Sequence, residues 1–273
     1  MTDETAAVLN NRRIRGMRQS ETELFPESEL QIYSLIARSE GMRAREIART
    51  LGMDKTEISR LLVSSALMRE LCYQDREYRW HALVRQQAPY DGLYEFSGWY
   101  GTVREFMDET KEDWLRELED GCGRIGRSLS DTRGLIHSFT DCRETMRNLF
   151  TDIRDMSDLP YPAWEIAFEL RFNLRRRIRI YADVLVIAGG KVFSLEFKMK
   201  NRTDPEEVLQ AAKYVPYLEV LFGKNTDVYP ALVLTGASEL FEYVPIGKSD
   251  YVLPVCSGDM LFNVFNEYFG FLR

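Results

Sequence analysis

The stretch YADVLVIAGGKVFSLEFKMK, from Tyr181 to Lys200, constrains the fold more than any other part of this 273-residue chain. Two apolar, β-branched runs of strand length meet at Gly189-Gly190, the signature of a two-residue hairpin turn. The runs are therefore expected to be antiparallel neighbours in a sheet. Yet Asp183 stands inside the first run, and Glu196 and Lys198 inside the second. Burying a charge without a partner is costly, so these three residues need a reason to be there. Side chains alternate along a strand. Asp183 shares a face with Tyr181 and Leu185, and Glu196 and Lys198 share one with Ser194 and Lys200. If the two faces coincide, both carboxylates and the ammonium converge at one edge of the sheet.

The flanking pattern extends that sheet. In AWEIAFELRFN, the residues Trp164, Ile166, Phe168, Leu170 and Phe172 alternate onto one face and Glu165, Glu169 and Arg171 onto the other, a strand signal. Before it, TRGLIHSFTDCRETMRNLFTDIRDM reads as a helix with a buried stripe of Leu135, Phe139, Cys142, Met146, Leu149, Phe150 and Ile153. After the hairpin, DPEEVLQAAKYVPYLEVLF opens with Asp204 as N-cap and Pro205 at the first helical position. Pro216 predicts a kink or a split there. DVYPALVLTG is a fourth strand, reached by a right-handed crossover and parallel to a neighbour. DYVLPVCSGDMLFNVFNEYFGFL reads as one more strand and a closing helix. The predicted class is α/β, a mixed sheet with helices on both faces.

Two carboxylates at close range repel unless a cation lies between them. Hard oxygen ligands with open positions suit Mg²⁺, which keeps water and substrate phosphate in its shell. Such an ion polarises a phosphodiester and acidifies its water. A lysine on the same face would orient the attacking water or offset charge developing on the phosphorane. The spacing D(x)₁₂ExK across two paired strands, in this order of helices and strands, resembles the PD-(D/E)XK nuclease superfamily over about residues 133–240. Ala182 stands where the family name has Pro. The resemblance implies a restriction-endonuclease-like fold, Mg²⁺ (with Mn²⁺ substituting) held by Asp183 and Glu196, and Lys198 assisting the water. Gln210 and Tyr214, four apart on one helical face, resemble the QxxxY motif of RecB-like exonucleases, whose residues lie near the metals and the DNA strand. The resemblance also implies a further acid, for which Glu169 stands ahead of Glu165 and Glu144. His137 resembles a histidine that some RecB-like nucleases use. Arg171, Arg175, Arg176, Arg177 and Arg179 lie beside the site and suit phosphate contacts that position a strand without reading its sequence.

The N-terminal part reads differently. Residues 1–24 are polar, basic and aperiodic and are expected to be a disordered arm. Residues 25–85 read as three short helices and a hairpin, a winged helix-turn-helix domain separate from the sheet. Asp54 and Glu57 form a capping-box pattern at its third helix. IARTLGMDKTEISRLL resembles the helix-turn-helix of many bacterial regulators, which implies a recognition helix presenting Lys55, Thr56, Ser59 and Arg60 to DNA. REYRW resembles the wing of Z-nucleic-acid-binding winged helices in Lys55 and Trp80, but Ser59 and Val63 stand where those carry Asn and Tyr. Residues 86–132 are expected to be a helical connector and 133–273 the nuclease-like domain.

The net charge of −7 argues against a general nucleic-acid coat. The charge is uneven, with arginines gathered at 12–18, 43–49 and 171–179 and acids at 105–120, and it is the local field that a ligand meets. Four scattered cysteines form no CxxC pair, against a zinc or iron–sulfur site and in keeping with a reducing cytoplasm. No stretch is apolar enough to span a membrane, and the N-terminus lacks the apolar core of a signal peptide. The expectation is a cytoplasmic, Mg²⁺-dependent DNA nuclease in defence, restriction or repair. The alternatives are a non-catalytic DNA-binding protein that keeps the fold as a scaffold, or a subunit working with a helicase/ATPase or in a homodimer. No P-loop is present, so an ATP-driven step would need such a partner.

Overall fold

The Gly189-Gly190 turn forms with φ of 57° and 82°, left-handed values that only glycine adopts without strain. The structure, a computed structural model, describes residues 25–83, 90, 92–127, 132–172, 181–223, 226–247 and 251–270. The N-terminal arm and Arg175, Arg176, Arg177 and Arg179 lie outside the described residues, as do the side chains of Leu135 and His137. The turn joins two strands, β5 (Tyr181–Ala188) and β6 (Lys191–Lys198), in antiparallel register from Ala188↔Lys191 to Val184↔Leu195. Around them, β3 (Trp99–Thr102), β4 (Glu165–Arg171), β7 (Asp227–Leu234), β8 (Phe241–Pro245) and β9 (Val252–Ser257) complete a sheet ordered β3-β4-β5-β6-β7-β9-β8 among the described residues. It is mixed: β6, β7 and β9 run parallel, and the other pairs antiparallel.

Helices cover both faces, as the sequence predicts. On one side the long helix α8 (Thr132–Met156) buries Phe139, Cys142, Met146, Leu149, Phe150 and Ile153, joined by α6 (Val103–Asp108), α7 (Lys111–Arg124) and the closing helix α11 (Leu261–Phe269). On the other lie α9 (Pro205–Lys213) and α10 (Val215–Phe222). Asp204 caps α9 by accepting from the Glu206 N–H at 3.0 Å. The helical pattern divides at Tyr214, next to Pro216, whose ring cannot continue the ladder.

Three expectations change. The segment expected to be a helical connector supplies, after the short helix α5 (Leu93–Phe96), strand β3, paired from Trp99↔Phe168 to Thr102↔Glu165; four residues are too few to show a period in sequence. No element is expected over Phe241–Pro245, where the edge strand β8 forms. And the alternation of 164–172 does not run through: Ile166 and Phe168 pack on the α8 side, but Leu170 and Phe172 join the opposite core with Ala167. The switch falls at Glu169, whose φ is 57°. A left-handed residue inside a strand rotates all that follows it, and for a non-glycine residue it is a strained state.

The N-terminal elements are α1 (Glu27–Ala37), α2 (Ala44–Leu51), α3 (Lys55–Ser64), α4 (Ala66–Leu71) and a two-stranded ribbon, β1 (Cys72–Gln74) with β2 (Trp80–Ala82). Gly52, at φ 66°, makes the turn between α2 and α3. The expected third helix is two helices. Ser65 leaves helical backbone at ψ 134°, caps α4 through the Met68 N–H, and donates its hydroxyl to Glu29 of α1. Its core is continuous with the sheet domain: Phe25 lies 5.5 Å from the Tyr217 ring, and Leu67, Leu71 and Leu218 belong to one buried cluster.

Candidate active site

Sheet register carries three carboxylates into one row. Glu169 lies between the pairs Phe168↔Val184 and Leu170↔Ala182, and so stands opposite Asp183. Asp183 is one step beyond Val184↔Leu195, opposite Glu196. The β5–β6 ladder stops there. In its place the Phe197 N–H donates to Asp183 Oδ2 at 2.8 Å. The faces of the two strands do coincide: Asp183, Glu196, Lys198 and Tyr181 line one cleft of about 760 Å³, with Gln210 and Tyr214 from the helical side.

Glu196 is the hub. It is 2% exposed, and its Oε1 accepts from Lys198 Nζ at 2.7 Å and from Gln210 Nε2 at 2.6 Å. Gln210 Nε2 lies 3.4 Å from the Tyr214 hydroxyl, and the Tyr214 ring stacks on Phe172 at 5.5 Å. The four-residue spacing of Gln210 and Tyr214 thus reaches one carboxylate and one aromatic brace. Of the three candidate acids, Glu169 is 3% exposed and beside Asp183. Glu165 lies at the far end of β4, accepting from the Tyr100 hydroxyl at 2.6 Å, and Glu144 is an exposed residue 3.9 Å from Lys111.

Sequence reasoning missed Arg127. It follows α7 and places Nη1 2.8 Å from Glu169 Oε2, with its guanidinium 4.5 Å from the centre of the Tyr181 ring. A short arginine-bearing turn after an acidic helix looks like ordinary surface in sequence. Arg171, expected to meet phosphate, instead donates to the Ile125 carbonyl. Lys55, Thr56 and Arg60 are exposed on α3 and Ser59 is half-buried, with the helix N-terminus capped by Asp54 through the Thr56 and Glu57 N–H groups.

Crowding the acids raises their proton affinity. Burial, then the charge of Asp183, pushes the Glu196 carboxyl up to about 8 against the pull of Lys198. Burial raises Asp183 too, though the Phe197 N–H and Lys198 oppose it. Burial and Asp183 hold Glu169 well above the usual range, with Arg127 opposing. Burial alone would lower Lys198, but Glu196 and Asp183 outweigh it and keep the ammonium charged. Tyr214 is pushed up to about 12 by burial and by Glu196.

These shifts carry a sign. A carboxyl with a raised native pKa binds protons that the unfolded chain has released, so stability falls as pH rises between the two values. For Glu196 the window runs from the ordinary 4.5 to about 8, with a ceiling of about 5 kcal/mol. Without divalent ions, the melting temperature is expected to fall on the order of 5 °C from pH 6 to 8.5, with a shallower slope for Glu196→Gln. A melting temperature that rises over that range contradicts the assignment.

Do the residues fit a divalent cation? Glu196 Oε2 is buried with no hydrogen-bond partner among the described residues, and Asp183 keeps part of its surface open to the cleft. Both are hard oxygen donors, and a cation would relieve the repulsion that raises them. Glu169 is paired with Arg127, and no group of three side chains placed to hold an ion together is found among the described residues; the carboxylates open to an ion are Asp183 and Glu196, hard donors of the kind that suits Mg²⁺. The donors fit.

No protein-family model matches the chain, and no curated protein matches it. Among solved structures it is similar to protein VC1899 from Vibrio cholerae, at 12% identity and a TM-score of 0.28, over 96% of this chain and 57% of that one. The chain thus spans little more than half the length of that protein.

Proposed function

We propose that the chain is a metal-dependent nuclease whose cleft hydrolyses phosphodiester bonds of DNA. The observation that supports this most is the row Glu169–Asp183–Glu196 with Lys198 and Gln210 converging on one carboxylate. Stability alone explains it poorly, because buried charges contribute little net stability and several here repel. Asp183 and Glu196 would hold Mg²⁺, which when bound supplies Lewis-acid polarisation of the phosphodiester and a more acidic water.

The chain's own groups have separate tasks. Gln210 fixes Glu196 Oε1, and Oε2, which has no hydrogen-bond partner among the described residues, would be the oxygen available to a cation. Lys198 stays protonated, so it donates rather than accepts a proton, orienting the attacking water and offsetting charge on the phosphorane. Tyr214, stacked on Phe172, braces Gln210 through its hydroxyl, 3.4 Å from Nε2. Glu169 adds negative charge beside Asp183, balanced by Arg127.

In this reading residues 25–83 form a winged helix that brings the cleft to duplex DNA, with Lys55 and Arg60 on the exposed side of α3. The double variant Lys55→Ala/Arg60→Ala is expected to weaken duplex binding about 10-fold near 0.1 M salt and to flatten its salt dependence. Cleavage of a short single strand should stay within about two-fold.

The direct test is to incubate the purified protein with linear, circular and single-stranded DNA in Mg²⁺ or Mn²⁺. Cleavage that EDTA stops and Lys198→Ala lowers by at least ~100-fold is the expected result. A gel shift without cleavage assigns the fold to a DNA-binding scaffold instead.

A further inference from the structure

We infer that Arg127 is a substrate-binding residue of this cleft, a guanidinium fork for a nucleic-acid phosphate, held ready by Glu169 and Tyr181. The inference rests on the nucleic-acid reading of the cleft given above.

The local chain fixes where Arg127 stands. Gly126, at φ 71°, ends α7 in a left-handed turn. Its N–H donates to the Gly123 carbonyl at 3.1 Å, and the Arg127 N–H donates to Cys122 at 2.8 Å. These two bonds are the paired closure of a Schellman motif, which locks the residue after the glycine. The side chain is then directed into the cleft, where it is 23% exposed.

Its partners leave donors free for a ligand. Nη1 meets Glu169 Oε2 at 2.8 Å, and the Tyr181 ring takes one face of the guanidinium. The ring contact and the Glu169 pair hold the guanidinium in place, and a planar fork matches two phosphate oxygens in a way that an ammonium does not. A cleft with three carboxylates repels a polyanion unless cations meet it. Lys198 gives one of its donors to Glu196 at 2.7 Å and Lys213 of the lining is exposed, so among the described residues Arg127 is a second deep cation, with donors to spare.

The test reads binding without turnover, by fluorescence anisotropy of a labelled 12-nucleotide single strand in Ca²⁺ across a series of KCl concentrations. Arg127→Ala is expected to weaken binding about 10-fold and to reduce the slope of log K against log salt by about 0.7, the value of one phosphate contact on a single strand. Arg127→Lys keeps the charge without the fork, and is expected to lose about three-fold with the slope unchanged. Glu169→Gln releases the guanidinium and is expected to bind several-fold more tightly. Wild-type affinity and slope in a folded Arg127→Ala, full affinity in Arg127→Lys, or no oligonucleotide binding by the wild type would each overturn the assignment. A wild type that binds and loses affinity as described but never cleaves leaves Arg127 assigned and removes the nuclease reading. A wild type that cleaves, with Arg127→Ala binding unchanged, removes only the assignment.

Discussion

Asp183→Asn is expected to lower Mg²⁺-dependent cleavage by about 10³-fold or more and, at the same time, to raise the melting temperature of the metal-free protein. The two effects have one origin. Asparagine keeps an oxygen for the Phe197 N–H that Asp183 Oδ2 accepts at 2.8 Å, so the splayed end of β5 and β6 survives. It removes a negative charge that raises the proton affinity of both Glu196 and Glu169. Relief of that repulsion stabilises the fold by about 1–2 kcal/mol, or roughly 2–6 °C. The loss of activity has a different cause, the loss of one of two anionic cation ligands. Differential scanning calorimetry alongside a cleavage assay separates the two. Loss of activity together with a lower melting temperature would instead mark Asp183 as part of the fold's scaffold.

A second large effect is expected from one methyl group. Gly121 on α7 lies against Gly98, and a Cβ at Gly121 would stand 1.7 Å from the Gly98 carbonyl oxygen and 2.7 Å from its carbon. These are backbone atoms with no rotamer to escape into. Helix propensity alone favours Gly121→Ala by about 1 kcal/mol, but overpacking against backbone costs about 3 kcal/mol or more, so the clash decides the sign. Gly123, two residues on in the same helix, is exposed and a Cβ there meets nothing within 4 Å. Gly123→Ala is therefore expected to stabilise by about 0.5–1 kcal/mol. Urea denaturation of the pair checks both signs, and two variants of like sign contradict the contact. Gly98 also sits beside Glu169, with a virtual Cβ 3.2 Å from Glu169 Cβ. The same approach of α7 to the sheet therefore sets Glu169 and Arg127, and Gly121→Ala should disturb cleavage as well as stability.

Much of the candidate site is legible in sequence because it is written in local periods. The two-residue turn fixes the register of β5 and β6, alternation puts Asp183 and Glu196 on one face, and a four-residue spacing brings Gln210 to Glu196. What is not legible comes from tertiary approach or from backbone that breaks a period. The regular alternation of 164–172 hides the left-handed Glu169, which a period-2 reading treats as one more outward residue. Arg127 reaches the cleft only because Gly121 lets α7 close on Gly98. Strand β3 is too short to show a period, and β8 is an edge strand beyond the charged row. The helix broken at Ser65 looks continuous in sequence because hydroxyl capping competes with the helix only once Glu29 stands nearby.

The most direct measurement of the central claim is the anomalous scattering of a crystal soaked in Mn²⁺. The account predicts a peak in the cleft within coordination distance of the Asp183 and Glu196 carboxylates, with Glu196 Oε2 among the ligands and Lys198 beside them. At saturating Mn²⁺, the absence of a peak there, with Lys198 and Gln210 still the partners of Glu196, would contradict it.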